Sequence, residues 1–206
     1  MDDHWPDLYE DKYAVKRIEK SVELADIYPG MSVLDIGCHK GELQTYLPVE
    51  TFYTGIDHLN GHDFDGGFSL GKKFDRILCL EVLEHLKWPR KTAQSIKDHL
   101  APGGVAVISL PNEATLFHRI RSLLGTPDAE AFSENGKHFH LPSMLQSFQF
   151  LSEYFEIEHV SPYLSDGSGS RASWLRPILR LFPLQILCDM CPSLFARGFI
   201  FVCKKK

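Results

Sequence analysis

The stretch VLDIGCHKGEL, residues 33–43, constrains the fold more than any other part of the chain. An apolar run over residues 32–36 ends at Gly37, and a second glycine follows at Gly41. So short an apolar run, closed by glycine, reads as a central parallel strand leaving its sheet through a sharp turn. Glycine supplies the left-handed backbone that such turns use, and the start of a following helix presents free N–H groups. The expectation is an α/β domain whose parallel sheet opens toward a ligand at this turn.

The rest of the chain supports that architecture. Apolar residues at helical spacing over 11–27 (Tyr13, Val15, Ile18, Val22, Leu24, Ile27) stop at the Pro-Gly of residues 29–30. A helix is expected over about 41–47, strands over 52–57 (FYTGID) and 74–80 (FDRILCL), and a helix over 89–100. The APGG of 101–104 reads as a turn before a strand at 105–111. This alternation predicts βαβ units, a doubly wound sheet covered on both faces, and functional groups at the strands' carboxyl ends. Beyond residue 111 come a polar helical stretch, a loop with Gly136 and two histidines, a helix over about 143–154, and strands at 155–160 and 198–205. An insertion, residues 161–197, separates those last strands and is expected to form a helical cap or lid.

Length bounds the organisation to one domain over 1–206, with an N-terminal helical segment over 1–30. A net charge of -5 leaves no excess of cations to neutralise a phosphate backbone, so nucleic acid is an unlikely partner. The acidic start, MDDHWPDLYEDKY, does not read as a signal peptide, and the apolar stretch 174–188 is interrupted by Arg176, Pro177, Arg180 and Pro183. A cytoplasmic location is expected. Five scattered cysteines do not read as a disulfide framework, and the lone pair Cys188 and Cys191 is two ligands short of a zinc site.

Asp35 closes the first strand where a carboxylate can accept from a cationic amine, and Asp57 closes the next, where it can accept from both hydroxyls of a ribose. With VLDIGCHKGEL, YTGID, FDRILCLEVLEHL and LAPGGVAVISLPN in this order, residues 30–160 resemble the class I S-adenosylmethionine-dependent methyltransferases. The likeness is greatest to the ubiquinone and menaquinone biosynthesis enzymes and the MetW-like proteins. It implies a Rossmann-like, mostly parallel sheet of the seven-stranded type with a C-terminal antiparallel hairpin, and S-adenosylmethionine as cofactor, leaving S-adenosylhomocysteine as product. It places the methionyl part against Asp35, Gly37, Cys38, His39 and Gly41, the ribose on Asp57, the adenine beside His58, and Glu81 in the cofactor pocket.

Two departures stand out. His39 replaces the middle glycine of the family's D-x-G-C-G-x-G turn, a replacement that histidine's tolerance of left-handed backbone allows. Only 17 residues separate Asp57 from Asp75, so the helix usually found there is expected to be missing, and Asp63, in preference to Asp65, is assigned to the adenine.

In LEVLEHL, residues 80–86, Glu81, Glu84 and His85 fall at i, i+3 and i+4 and share one face if the segment turns helical. One reading has Glu81 line the cofactor pocket while Glu84 and His85 pair locally. The other gathers all three with His138 or His140 into a divalent metal site, as in the plant small-RNA 2′-O-methyltransferases, which the segment resembles. No metal site is assigned; His85, His138 and His140 are instead candidate general bases. The expected reaction is in-line methyl transfer to a small-molecule or lipid- or glycan-like acceptor. A metal-dependent RNA 2′-O-methyltransferase and a cofactor-binding protein without transferase activity are the alternatives. Residues 173–195 mix apolar side chains with arginines, and could meet a membrane surface or a second copy of the chain in a homodimer.

Overall fold

The computed structural model describes residues 12–125, 139–164 and 184–206. Helix α1 (Lys12–Ala25) buries Ala14, Ile18, Ser21 and Ala25, which recur at helical spacing and share one face. Strand β1 (Ser32–Ile36) follows, then β2 (Phe52–Ile56), β3 (Phe74–Leu80), α2 (Pro89–His99), β4 (Leu100–Pro111), α3 (Leu116–Leu123), α4 (Met144–Ser152) and β5 (Phe155–Tyr163). Helices α5 (Leu184–Met190) and α6 (Pro192–Phe195) precede β6 (Gly198–Lys205).

The strands form one six-stranded sheet in the order β2-β1-β3-β4-β6-β5. The first four are parallel, and β6 inserts antiparallel between β4 and β5. On one face Ile18, Ala25 and Ile27 from α1 and its exit pack on Val33, Leu78, Val107 and Ile200. On the other, Ala93 and Ile96 of α2 and Leu151 of α4 cover Ile36, Ile77, Ile108 and Phe201. Because β2 and β3 flank β1 on opposite sides, the chain reverses direction at β1, and a crevice opens beyond its carboxyl end.

Six strands replace the seven expected, because residues 58–73 hold a single 3₁₀ turn, His58–Asn60, and a loop. Helix α2 holds that loop with polar side chains spaced along one face. Thr92 Oγ1 donates to the Phe64 carbonyl at 2.6 Å, Ser95 Oγ accepts from Phe68 N–H at 3.0 Å, and His99 Nε2 accepts from Leu70 N–H at 2.9 Å. Two local expectations also change. The segment after Gly41 is a 3₁₀ helix, Glu42–Tyr46, because Pro48 disfavours helical backbone at Leu47 and leaves too few residues for α-helical turns. Residues 101–104 lie within β4 as an excursion: Leu100 pairs with Phe74 and Val105 with Arg76, so the residues between them bulge out.

Candidate functional site

The turn after β1 is fixed largely by hydrogen bonds to the end of β2 and the turn that follows it. Gly37, His39 and Gly41 all have left-handed backbone, with φ of 75°, 47° and 83°. Gly37 and Cys38 donate their N–H groups to the Ile56 carbonyl, and His39 N–H donates to Asp57 Oδ2 at 2.9 Å. A Cβ on Gly37 would lie 2.5 Å from Val82 Cγ2, so glycine is required where the turns after β1 and β3 meet. Gly41 is needed for its φ instead, since a Cβ there would meet only Tyr53 Oη at 3.8 Å. His39 turns its ring back onto the protein: Nδ1 lies 2.9 Å from Glu42 Oε1, while Glu42 Oε2 accepts from Lys40 N–H.

Asp57 is 4 % exposed and has a structural task of its own. Its Oδ1 accepts from Leu59 N–H at 2.9 Å and faces His58 Nδ1 at 3.0 Å, while Asn60 Oδ1 accepts from Asp57 N–H. The carboxylate thus joins the turn after β1 to the turn after β2. Three of its roughly four acceptor positions are occupied, which leaves one for an incoming hydroxyl.

Asp35 is buried at the end of β1 and accepts from Tyr53 Oη at 2.8 Å. Burial pushes its carboxyl up to about 7; the Tyr53 hydrogen bond opposes the rise, and the charges of Glu42 and Asp57 add to it. A buried carboxylate in this state suits a ligand with a cationic amine, which would offset the cost of ionising it. Burial likewise pushes the Cys38 thiol up to about 11, so it is no ready nucleophile near neutral pH.

After β3 LEVLEHL does not turn helical as a whole, so Glu81, Glu84 and His85 do not share one face. Glu81 takes a left-handed backbone (φ 57°) and Val82 follows at φ -123°, so the 3₁₀ turn begins only at Leu83. Glu81 Oε1 accepts from Tyr163 Oη at 2.8 Å and from Ser109 Oγ at 3.2 Å. Tyr163 reaches it across Gly198, its partner on β6, where a Cβ would sit 2.2 Å from the phenolic oxygen. Glu84 is a different case. Its side chain is fully buried, and neither carboxylate oxygen has a hydrogen-bond partner. Burial, then the nearby charge of Glu81, hold its carboxyl well above the usual range. The His85 ring lies 3.9 Å away, beyond hydrogen-bond distance.

A cavity of about 410 Å³ opens here, lined by Leu83, Glu84, Leu110, Phe139, Pro142, Ser147 and Phe150, with Arg90, His140 and Gln146 also on its wall. Ser147 Oγ is buried and unpartnered like the Glu84 carboxylate. Residues 139–140 are tied to this corner, since Phe139 and His140 both donate N–H to the Glu84 carbonyl. His140 Nε2 lies 3.0 Å from the Leu86 carbonyl; a carbonyl only accepts, so Nε2 carries the proton and Nδ1 is the ring's acceptor.

The sequence-predicted residues therefore fall into two groups. Asp35, Gly37, Cys38, His39, Gly41, Asp57 and His58 converge at the turns after β1 and β2, with Glu81 at the neighbouring turn after β3. His140 lies with Glu84 on the cavity wall, and His85, next to Glu84 in sequence, does not line it. Exposed Asp63 accepts from Asp65 N–H, and Asp65 accepts from Trp88 N–H, so Asp65 is committed to holding the loop. His138 lies outside the described residues, and among those residues no three His, Cys, Asp or Glu side chains converge as a metal site. Sequence reasoning missed Tyr53, Glu42, Ser109, Tyr163 and Ser147. Glu42, Tyr53 and Ser109 lay inside quoted motifs, and for Tyr53 strand alternation could have placed it beneath Asp35.

The chain matches a family described as a methyltransferase domain over residues 11–168. Among curated proteins it is 27% identical over 115 residues to the ubiquinone biosynthesis O-methyltransferase of Rickettsia canadensis (strain McKiel), which covers 46% of this chain and 49% of that protein. The chain spans about half the length of the curated relatives it matches. Among solved structures it resembles the N-methyltransferase NodS from Bradyrhizobium japonicum WM9 in complex with S-adenosyl-L-homocysteine. That likeness has a TM-score of 0.58 at 16% identity, over 100% of this chain and 93% of that one. The small RNA methyltransferase HEN1 gives a TM-score of 0.62 at 16% identity, over 94% of this chain and 25% of its own. At such identities these two structures support the fold.

Proposed function

The chain belongs to the methyltransferase-domain family, in the class I group that depends on S-adenosylmethionine, and on that premise we propose methyl transfer to a small, largely apolar, ring-bearing acceptor through a hydroxyl oxygen. One observation carries the choice of acceptor: an apolar cavity of about 410 Å³ whose buried polar atoms, on Glu84 and Ser147, lack partners within the protein. That volume lies in the range of small-molecule sites. A planar ring fits between Leu83, Leu110, Phe139 and Phe150, and its hydroxyl or a second polar substituent would satisfy Glu84 or Ser147. The ubiquinone biosynthesis O-methyltransferases among its relatives favour a quinol-like ring with an oxygen nucleophile.

The cofactor, when bound, supplies a methyl group already activated on a sulfonium. Asp35 would hold its amino end, the turn from Gly37 to Gly41 its methionyl part, and Asp57 one ribose hydroxyl. His58 and Asp63 would face the adenine, and Glu81, fixed by Tyr163 and Ser109, would line the cofactor pocket. What remains for the protein is alignment of the acceptor oxygen in line with the methyl group, exclusion of water, and removal of a proton. His140 Nδ1, left as an acceptor by the Leu86 hydrogen bond, is the preferred base for that proton.

The test is a two-stage titration. Calorimetry with S-adenosylhomocysteine is expected to show binding, and labelled S-adenosylmethionine is then offered with catechols and hydroquinones of increasing size. Transfer to ring hydroxyls that His140→Ala lowers by about 10²- to 10⁴-fold, with cofactor affinity unchanged, is the expected result. Binding without transfer to any acceptor would favour a cofactor-binding protein. Transfer abolished by EDTA and restored by manganese would move Glu81, Glu84 and His85 to a cation.

A further inference from the structure

Glu84 stands in the 3₁₀ turn Leu83–His85, and its carbonyl accepts from Phe139 and His140 N–H, so the backbone beneath its carboxyl group is fixed. The side chain is fully buried and lines the 410 Å³ cavity, yet among the described residues neither oxygen has a hydrogen-bond partner. Ser147 Oγ of α4, buried on the same wall, has none either. Three polar atoms in an otherwise apolar corner are left to whatever enters it. Charge limits what that can be. The charges of Glu81 and Glu113 act with burial against a negative charge at Glu84, and only its own backbone N–H and the Arg17 charge of α1 act the other way. Arg90, on the cavity wall, gives both terminal guanidinium nitrogens to Glu153, and His140 presents an acceptor at Nδ1. Residues 126–138, and residues 173–183 of the segment expected to meet a membrane or a second copy, lie outside the described residues. The first of these stretches carries three acids to one lysine, so it brings no surplus of cations.

On the reading of this cavity as the acceptor site, we propose that Glu84, with Ser147, determines which acceptors are taken. The cavity admits a ring whose inner substituent is an uncharged hydrogen-bond donor, of the carboxamide or hydroxyl class, and rejects the same ring carrying a carboxylate there. An amide N–H or a hydroxyl donates to a Glu84 oxygen whether or not the carboxyl group holds its proton, and an amide carbonyl accepts from Ser147 Oγ. A carboxylate in that place would meet a buried acid, with Arg90 already paired, and a like-charge contact of this kind is how a site turns away a ligand of the right shape. The discrimination lies in acceptor binding, so it is separate from proton removal by His140.

Two catechols of nearly the same shape, 3,4-dihydroxybenzamide and 3,4-dihydroxybenzoate, test this without requiring transfer when each is titrated into the whole chain saturated with S-adenosylhomocysteine. The benzamide is expected to bind at least about tenfold tighter than the benzoate. Glu84→Gln, which keeps the shape and adds an N–H donor, should bring the two within about threefold of each other, chiefly by tightening the benzoate. Its retained binding of the benzamide shows that the variant is folded. Ser147→Ala should weaken the benzamide by about threefold to tenfold and leave cofactor affinity unchanged. Equal binding of the two catechols by the parent, or a preference that Glu84→Gln leaves unchanged, overturns the proposal. So does tighter binding of the benzoate, or benzoate binding that appears only with manganese, since either puts a cation in the cavity. If labelled S-adenosylmethionine methylates both catechols equally well, the acceptor reading stands and the selectivity assigned to Glu84 falls. If neither catechol binds beside S-adenosylhomocysteine, the acceptor reading falls and takes that selectivity with it.

Discussion

The turns after β1 and β2 and the corner around Glu84 lie at the same edge of one sheet, yet they treat buried polar groups in opposite ways. In the first region Asp35, Glu42 and Asp57 are buried, and each has a named partner: Tyr53, His39, and the N–H groups of His39 and Leu59. In the second, Glu84 and Ser147 are as deeply buried and have none. An unpaired buried polar atom costs about 1–3 kcal/mol, more if charged, so a fold keeps one only where something else satisfies it. The first region is a finished frame, which suits a ligand that is always the same. The second is finished only by what enters it, which suits the variable partner of a transfer reaction.

Breaking the frame should have the largest effect. Asp57→Ala strands the N–H groups of His39 and Leu59 and unlinks the two turns, so stability should fall by about 2–4 kcal/mol and cofactor affinity by 100-fold or more. Urea unfolding and calorimetry read both, and Asn at this position should recover part of each. A variant that keeps its stability and loses only binding would show that Asp57 serves the ligand alone.

The unfinished corner should respond in the opposite sense. Glu84→Gln removes an acid whose pKa burial raises well above the usual range. A carboxyl whose folded pKa is raised contributes most at pH below its unfolded value, and that contribution is lost as pH rises. The variant should therefore gain stability relative to the parent between pH 5 and pH 8. A difference that does not change with pH would mean that Glu84 is ionised and paired, and the contrast between the regions would fail.

Asp35 offers a milder test. With its carboxyl pushed up to about 7, its contribution to the unliganded fold is fully present below the ordinary carboxyl range and declines as pH rises through 7. A cationic ligand reverses the preference, because it favours the ionised form. Affinity for S-adenosylhomocysteine should thus increase from pH 6 to pH 8 with release of a proton, visible in calorimetry as a dependence on buffer. Asp35→Asn should bind more weakly and show neither trend. The smallest effect belongs to His39→Gly, which relieves a left-handed histidine but forfeits the Glu42 contact. Stability and affinity should both stay within about 1 kcal/mol of the parent. A larger loss of affinity would make His39 a ligand contact.

What could be read from the residues alone follows the range of the interactions. The strands, the glycine turn and the shortened stretch between Asp57 and Asp75 depend on neighbours in sequence, and their pattern showed them. Tyr163 lies 82 residues from the Glu81 it orients, and it needs both the β5–β6 register and the missing Cβ of Gly198; no local pattern encodes that. That Glu81, Glu84 and His85 share no helical face has a related reason. The turn after β3 has to clear the turn after β1, and Glu81 takes left-handed backbone where Gly37 and Val82 press together. The lack of any partner for Glu84 emerges only when the whole environment is folded around it.

The loop held by Thr92, Ser95 and His99 carries a lesson about modularity. A helix–strand unit in the interior of a sheet cannot be dropped, because the strands on either side would lose their ladder. One at the end of the strand order can, provided the hole it leaves over the adjoining helix is plugged. Here α2 does the plugging with three side chains on a single face. The scaffold has been pruned where pruning is cheapest, and the same margin is where a longer loop or a grafted segment should be accepted with the least disturbance to the crevice.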